Sequence, residues 1–150
     1  MTAPAPGGQA LAESVVHGML ERDAFSRWLG VELVALTPGR CTVRMTVRDE
    51  MVNGFGLAHG GIVYALADSA LAFASNTNGR VTVSIENSIG YPVAAHPGNV
   101  LTAAAEELSA ANRIAFYLVT VRNEAGITVA IFRGTVYRTR QDHFSPDTSA

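Results

Sequence analysis

The fold is decided by residues 60–74, which read Gly60-Gly61-Ile62-Val63-Tyr64-Ala65-Leu66-Ala67-Asp68-Ser69-Ala70-Leu71-Ala72-Phe73-Ala74. A helix that is apolar nearly all round is normally buried, so we expect the rest of the chain to surround this one. Asp68 is the only charged residue of the stretch. Burying an unpaired charge costs several kcal/mol, and this cost indicates that Asp68 belongs to a functional site.

The segments on both sides of this helix carry patterns of their own. Apolar spacing predicts an amphipathic helix over residues 9–22 and a short helical turn over residues 25–29. Thr37-Pro38-Gly39 predicts a hairpin turn. Apolar runs bounded by turn residues predict six strands, at residues 31–36, 40–48, 81–91, 100–109, 114–122 and 128–138.

The order of these elements predicts an α+β fold. Two strands precede the apolar helix and four follow it in hairpin succession, and short connections favour antiparallel pairing. A sheet curled around its one all-apolar helix would bury both. We expect a single domain over residues 9–138, a disordered tail at residues 1–8 and a flexible tail at residues 139–150.

Composition narrows the classes of function. Hydrophobic residues make up 48% of the 150 residues and charged residues 16%, which favours an oligomer that hides apolar surface between its subunits. The net charge of −2, without a basic run, argues against nucleic acid or an anionic membrane as a partner. The single cysteine, Cys41, excludes an internal disulfide. With no signal peptide and no apolar run of about 20 residues, we expect a cytoplasmic protein.

The convergent polar groups of the chain lie between Asn53 and Asp68. Gly60 and Gly61 open the helix, so their amides and the positive end of the helix dipole can hold a ligand oxygen that gains negative charge. The side-chain amide of Asn53 can add a second donor. Asp68 can orient a water molecule or accept its proton.

These residues also have structural interpretations. Asp68 could be a buried structural carboxylate, bonded by backbone amides or by Thr82. Asn53 could be a turn residue, and His59, directly before the glycines, could be a helix cap. Tyr64 suits packing on a buried helix, with its hydroxyl bonded to the backbone.

Helix geometry limits how one chain can use these groups. Gly61 and Asp68 are seven residues apart, on one face but separated by about 10 Å along the axis. A reacting carbonyl and its attacking water need their donor and their base each within about 3 Å. Two antiparallel copies of the helix about a two-fold axis would bring Gly60 of one chain to Asp68 of the other. We therefore expect a dimer with two shared sites.

Other chemistries lack their motifs. His17, His96 and His143 match no metal-ligand spacing, so no metal is expected. The chain has no Walker loop, and no G-x-S-x-G elbow accompanies the His-Gly-Gly, which argues against a serine esterase.

The site residues stand in the pattern of a known family. The pattern is Met51-Val52-Asn53-Gly54-Phe55-Gly56-Leu57-Ala58-His59-Gly60-Gly61, then Leu66-Ala67-Asp68-Ser69-Ala70, then Ala72-Phe73-Ala74. With the asparagine, the His-Gly-Gly and the Leu-Ala-Asp at this spacing, the chain resembles the hotdog-fold thioesterases of the phenylacetic-acid-degradation (PaaI) type. The resemblance runs from residue 17 to residue 138.

The resemblance implies the hotdog fold, a curved antiparallel sheet wrapped around a long central helix, and hydrolysis of an acyl-CoA thioester. The substrate that it implies is a (hydroxy)phenylacetyl-CoA or a similar aryl or medium-chain acyl-CoA. It implies no cofactor, because coenzyme A is part of the substrate. It also implies a homodimer, commonly doubled into a homotetramer.

The resemblance further assigns roles to single residues. Asp68 would be the catalytic carboxylate, as general base or as nucleophile. Gly60 would donate its backbone amide to the thioester oxygen, with Asn53 assisting. Gly61 would contact the substrate, and Thr82 stands where some relatives carry a water-binding hydroxyl.

The chain also departs from close relatives, which often carry a basic residue where Tyr91 precedes Pro92. This change bears on the choice of acyl group. For the nucleotide part of coenzyme A the candidates are Arg113, at the start of a strand, and Arg138, near the end of another. Their alternative interpretation is that of ordinary solvated arginines.

Two other functions stay open at this point. A hydroxyacyl-thioester dehydratase of the same architecture would use a histidine with a carboxylate, and His59 is the candidate for that catalytic role. A non-catalytic acyl-CoA-binding domain would bind without turnover, although a mere binder does not need the carboxylate.

Overall fold

The computed structural model describes residues 8–144 and consists of one antiparallel sheet with a long helix packed on it. Its elements are α1 (Gly8–Arg22), α2 (Ala24–Leu29), β1 (Glu32–Thr37), β2 (Arg40–Thr46), a 3₁₀ turn (Asp49–Met51), α3 (Gly60–Asn76), β3 (Arg80–Gly90), β4 (Val100–Ala111), β5 (Ile114–Arg122) and β6 (Thr128–Asp142).

The six strands form one sheet in the order β1-β2-β4-β5-β6-β3, with every neighbouring pair antiparallel. The helix α3 packs against β2, β3, β4, β5 and β6, so the sheet wraps around it. Fully buried side chains of α3, such as Leu66, Leu71 and Phe73, meet buried residues of the strands, such as Phe132 and Val119. The predicted α+β architecture is confirmed.

Side-chain hydrogen bonds stabilise both ends of the helix α3. At its start the Nδ1 atom of His59 accepts from the Gly61 N–H at 2.9 Å, which caps one of the free amides. At its end the Asn76 side chain accepts from the Thr82 N–H at 2.9 Å and donates to the Thr82 carbonyl at 3.0 Å. One strip of the helix stays partly exposed beside the sheet and contains Tyr64 and Asp68.

The predicted hairpin between β3 and β4 is wrong. β3 lies at the edge of the sheet beside β6, whereas β4 lies beside β2. The connection, residues 91–99, crosses to β4 and packs its buried Ala95 against the loop before α3, where the Ala58 N–H donates to the Ala95 carbonyl at 2.9 Å. The strand that enters α3 and the strand that leaves it are therefore far apart in the sheet.

The boundaries of the domain also differ from the prediction. Gly8 is the first residue of α1, and β6 continues four residues past Arg138. The extra length pairs with β3, because Arg80 forms an ion pair of 3.0 Å with Asp142 and the Thr139 hydroxyl donates to the Val81 carbonyl at 2.7 Å. The other residues of the two predicted tails, 1–7 and 145–150, lie outside the described residues.

Cys41 occupies an inward-facing position of β2 and is 1% exposed. Burial raises the pKa of its thiol from 9.0 to about 12, because the apolar surroundings disfavour the thiolate. Cys41 is therefore a packing residue, as a small apolar side chain would be.

Gly134 marks the closest approach between the sheet and α3. A Cβ atom at this position would lie 2.5 Å from the Cδ2 atom of Leu71 and 3.0 Å from the Oδ1 atom of Asn87. The missing side chain thus lets α3 pack closely on β6.

We expect Gly134→Ala to lower the free energy of unfolding by about 1–3 kcal/mol, because the added methyl group overpacks this contact. Urea unfolding measures the change. Gly90→Ala is the matched control, since a Cβ atom there meets nothing within 4 Å. Equal stability of the two variants would contradict the close packing described for Gly134.

Candidate active site

Asp68 projects from the partly exposed strip of α3 into a cleft of about 370 Å³ between α3 and α2. The walls include Phe25 and Ser26 of α2 and Tyr64, one turn earlier on α3. Burial raises the pKa of the Asp68 carboxyl above its ordinary value of 3.8, and a hydrogen bond from Asn87 opposes that rise. No lysine, arginine or histidine within residues 8–144 forms an ion pair with this carboxylate.

The polar partner of Asp68 comes from the edge strand β3. The Asn87 Nδ2 group donates to Asp68 Oδ1 at 3.4 Å and to the Tyr64 hydroxyl oxygen at 3.0 Å. The structural interpretation that placed Thr82 against Asp68 is therefore wrong, since Asn87 takes that position. The Tyr64 hydroxyl is also bonded to this side chain and not to the backbone.

Short-range contacts fix α2 as the other wall of the cleft. Asp23 caps α2 by accepting from the Ser26 N–H at 2.9 Å and from the Ser26 hydroxyl at 2.6 Å. The buried Ser26 hydroxyl also lies 3.0 Å from that of Ser69 on α3. At the other end of α2 the Arg48 guanidinium donates to the carbonyls of Trp28 and Leu29. These contacts fix the position of α2, so the phenyl ring of Phe25 lines the same cleft as Asp68.

A second cleft, of about 230 Å³, lies at the N-terminus of α3 and contains Gly60, Asn53 and Tyr91. The Tyr91 hydroxyl donates to the Gly60 carbonyl at 2.7 Å, and its ring covers the α-carbon of this glycine. Within residues 8–144 the Gly60 N–H has no hydrogen-bond acceptor. This amide at the positive end of a 17-residue helix is free to bind an oxygen with negative charge.

The residues before and after Gly60, His59 and Gly61, bond to each other and cap the start of α3. The Gly61 N–H donates to the His59 imidazole, so this amide is not free for a substrate. In accepting that bond, the Nδ1 lone pair of His59 is also used. The structure thus gives His59 the capping position that the sequence left open, and neither His59 nor Gly61 is among the residues that line the two clefts.

Asn53 organises the loop that leads to α3. Its Oδ1 atom accepts from the N–H groups of Phe55 at 2.9 Å and Leu57 at 3.2 Å, as expected for a turn residue. Its Nδ2 group makes no hydrogen bond to residues 8–144 and lines the same cleft as Gly60. The turn role and a donor role are therefore compatible.

The other predicted substrate contacts lie elsewhere in the chain. Thr82 binds Asn76 and the Arg80 carbonyl at the far end of α3. Arg138 is its partner on β6, and Arg113 donates to the Arg138 carbonyl at 3.4 Å. Within one subunit the structure brings these three residues together, but not to Asp68 or Gly60, and their substrate contacts stay predictions.

Asp68 and Gly60 open into separate clefts of one subunit. They are eight residues apart, which is about 12 Å along a helix. One cleft holds the half-buried carboxylate of Asp68, and the other holds the backbone N–H of Gly60.

No group of three or more histidine, cysteine, aspartate or glutamate side chains between residues 8 and 144 could hold a metal ion. No helix in the same range is both long and apolar enough to cross a membrane.

Comparison with known proteins identifies the family. The sequence model of the Thioesterase superfamily matches residues 55–130. The chain belongs to the thioesterase superfamily. A putative esterase of Archaeoglobus fulgidus is 38% identical to this thioesterase, over 88% of this chain and 86% of the relative. Acyl-coenzyme A thioesterase PaaI of Escherichia coli is 34% identical over 81% of this chain and 87% of its own length.

Solved structures agree with these relatives. The structure of E. coli PaaI superposes with a TM-score of 0.87, covering 89% of this chain and 97% of the other at 32% identity. A hypothetical thioesterase of Streptococcus pneumoniae with coenzyme A superposes with a TM-score of 0.72, covering 75% and 90% at 26% identity. The predicted PaaI-type hotdog thioesterase is confirmed.

The sequence does not predict two of the contacts at these clefts, that of Asn87 with Asp68 and that of Tyr91 with Gly60. Asn87 is not visible as a partner of Asp68, because the contact depends on the pairing of β3 with β6 and on an irregularity in that ladder. The sequence shows Tyr91 as a departure from relatives, but the contact of Tyr91 with Gly60 depends on how the crossing segment 91–99 packs. The position before Pro92 was the one available signal.

We expect the Asp68→Asn variant to be at least as stable as the wild type at pH 7, with a Tm higher by a few degrees. The folded-state pKa of Asp68 is raised, so the wild-type carboxyl contributes stability below pH 3.8 and loses it as the pH rises through the folded-state pKa. Thermal unfolding of both proteins between pH 3.5 and pH 7 measures the difference.

Glu21→Gln, at an exposed position of α1, controls for the loss of one negative charge. A Tm of Asp68→Asn well below that of the wild type at pH 7 would show that the carboxylate stabilises the fold, contrary to its desolvated position.

Proposed function

We propose that this thioesterase hydrolyses acyl-CoA thioesters to the free carboxylic acid and coenzyme A. The observation that carries the proposal is a half-buried carboxylate that forms no ion pair with residues 8–144, on a helix whose first N–H has no acceptor in the same range. That E. coli PaaI is named an acyl-coenzyme A thioesterase, and that the S. pneumoniae structure contains coenzyme A, support the same substrate class.

The proposed reaction uses the two groups at one thioester carbonyl. The carbonyl oxygen accepts from the Gly60 N–H, which stabilises the negative charge of the tetrahedral intermediate together with the helix dipole. Asp68 takes a proton from water as the water oxygen attacks the carbonyl carbon. The C–S bond then breaks, and the coenzyme A thiolate leaves and takes up a proton. In the alternative course the Asp68 carboxylate attacks the carbonyl carbon, the C–S bond breaks and the coenzyme A thiolate leaves. Water then hydrolyses the resulting anhydride, which releases the acid and restores Asp68.

The proposed active unit is a dimer. Gly60 and Asp68 of one chain face separate clefts, and a two-fold axis beside the exposed strip of α3 would bring Gly60 of one chain to Asp68 of the other. The edge strand β3 supports this interface, because it is 11 residues long, has one unpaired edge and exposes Val83 and Ile85. On the outer face of the sheet, exposed Phe116 and Ile131 suit the doubling of dimers into a tetramer.

The proposed acyl group is aryl or of medium length, with (hydroxy)phenylacetyl as the leading candidate. The wall of the Asp68 cleft is aromatic, formed by Phe25 and Tyr64. Tyr91, in place of a basic residue, keeps the Gly60 cleft free of positive charge. Arg113 and Arg138 remain the candidates for contacts with the phosphates of coenzyme A.

The dehydratase alternative lacks a supporting contact. It needs an imidazole nitrogen that exchanges a proton beside a carboxylate, whereas within residues 8–144 of one subunit His59 forms no ion pair with a carboxylate, and its Nδ1 atom caps α3, which leaves only Nε2 for proton exchange. A pure acyl-CoA binder is distinguished by the absence of turnover. A thiol-trapping dye separates these functions, because only hydrolysis releases free coenzyme A.

We expect Asp68→Asn to lower kcat by about a hundredfold or more while the fold stays intact, since the amide keeps the shape but cannot accept the proton. Thiol release from a panel of aryl and aliphatic acyl-CoA esters measures this change, and the same panel identifies the preferred acyl group. A variant that hydrolyses a good substrate at nearly the wild-type rate would refute the role of Asp68.

The role of the Gly60 amide is tested by Gly60→Pro. Proline suits the first position of a helix, and the extended backbone of His59 (ψ 132°) is compatible with a following proline. We expect kcat to fall by about a hundredfold to a thousandfold, because the donor is lost. Gly60→Ala is the matched control, since its Cβ atom also lies 3.2 Å from the Tyr91 ring but it keeps the N–H.

Mixing the two inactive variants tests whether the site is shared. In a dimer with shared sites, a hybrid of one Asp68→Asn chain and one Gly60→Pro chain carries one site with both defects and one intact site. Co-expressed in equal amounts, the variants should recover about one quarter of the wild-type kcat per site. Activity no higher than that of either variant alone, with hybrids proven by mass, would place both groups in one subunit.

A further inference from the structure

Asn87 stands at the centre of a small polar network beside Asp68. Its Nδ2 group donates to the Tyr64 hydroxyl at 3.0 Å and to Asp68 Oδ1 at 3.4 Å, and its Oδ1 atom accepts from the Ser84 hydroxyl at 2.7 Å. The network joins two residues of α3 to two residues of β3.

The chemistry of the partners fixes which way the amide points. An ionised carboxylate only accepts hydrogen bonds, so the NH₂ group of Asn87 must face Asp68. The carbonyl oxygen then faces the Ser84 hydroxyl, which can donate. Ser84 thereby holds the amide in the orientation that serves Asp68.

The backbone provides the space for this arrangement. In a regular strand residues three apart point to opposite faces, but the register of β3 against β6 shifts between Ser84 and Glu86, so Ser84 and Asn87 can meet. Across the ladder Asn87 pairs with Gly134, whose absent Cβ atom would lie 3.0 Å from Asn87 Oδ1. The register shift in β3 and the absent side chain of Gly134 together provide the space in which the Asn87 side chain lies.

We propose that Asn87 is a positioning residue that holds the Asp68 carboxylate in place and in its charged form. The proposal rests on the proposed function, because it deepens the account of the same site. Asn87 would act through Asp68, with no contact to the reacting carbonyl.

The other groups around Asp68 leave Asn87 as its side-chain hydrogen-bond donor within residues 8–144. The ionisable groups that share the cleft are Asp23 on α2, which is acidic, and Tyr64 on α3; on β3, Glu86 beside Asn87 is exposed. Asn87 is the one side chain within residues 8–144 that donates a hydrogen bond to Asp68. Burial raises the pKa of Asp68 and the Asn87 amide lowers it, so removal of the amide leaves burial unopposed.

The experiment compares Asn87→Ala and Asn87→Asp with the wild type by two readouts. Carboxyl carbon NMR of protein labelled with ¹³C-aspartate, with Asp68 assigned from Asp68→Asn, follows its titration directly. The pH dependence of kcat follows the acid limb of turnover. Ser88→Ala, at an exposed position of the same strand, is the control.

We expect the Asp68 titration and the acid limb to move to higher pH in Asn87→Ala, and further in Asn87→Asp, because two neighbouring carboxylates disfavour each other's charge. At a pH on the wild-type plateau near neutrality, kcat should fall by about tenfold with KM changed less than twofold. Ser88→Ala should keep both the titration and the rate.

An unchanged Asp68 titration in both Asn87 variants would overturn the proposal whatever the rates are. A loss of stability with an unchanged titration would show a purely structural asparagine. If the wild type released no thiol from any acyl-CoA, the proposed function would fail, while the NMR titration would still decide the role of Asn87. Asn87→Asp preserves the shape of the side chain and decides the matter if Asn87→Ala folds poorly.

Discussion

The carboxylate of Asp68 loses water by burial and receives one side-chain hydrogen bond from residues 8–144 in return, that of Asn87. No lysine, arginine or histidine within residues 8–144 forms an ion pair with Asp68 to offset the loss. A carboxylate in this position is a better proton acceptor than one in water, because its charged form is less stabilised. The cost of burying this carboxylate is what the proposed role of Asp68 as the base would explain.

The length of α3 imposes the second constraint. A free amide exists only in the first turn of a helix, and the strip beside the sheet places Asp68 two turns later. No side-chain motion brings the two groups together, since the backbone itself separates them. The edge strand β3 runs beside this strip and presents both Asn87 to its own helix and unpaired backbone groups to a neighbour. The element that supports Asp68 thus also lies at the proposed interface.

The sequence predicts the elements of this fold better than their neighbours in the sheet. The apolar character of α3 and the turn residues around each strand are local signals, so helix and strand positions agree within a few residues. The pairing of β3 with β6 depends on long-range packing, and the prediction joined β3 to β4 because they follow each other in the chain. The extra residues of β6 are polar and carry no strand pattern; they are held by Arg80 and Asp142 across the ladder.

The candidate site divides in the same way. One continuous segment, residues 53–68, contains Asn53, His59, Gly60 and Asp68. Spacing and helix geometry are enough to predict these four as candidates. Asn87 comes from a distant strand, through a register shift and a glycine on the opposite strand, and these leave no local signature. The hydrogen bond from the Gly61 N–H to His59 likewise depends on the rotamer of the His59 side chain, which the spacing of residues does not predict.

The buried position of Cys41 has a consequence for an enzyme whose proposed product is a thiol. With a thiol pKa of about 12, only about one molecule in 10⁵ would carry the sulfur as thiolate at neutral pH. Mixed disulfides form by attack of a thiolate on an accessible sulfur, and Cys41 satisfies neither condition. If an external oxidant converted the released coenzyme A thiol to its disulfide, that disulfide would therefore leave Cys41 unmodified.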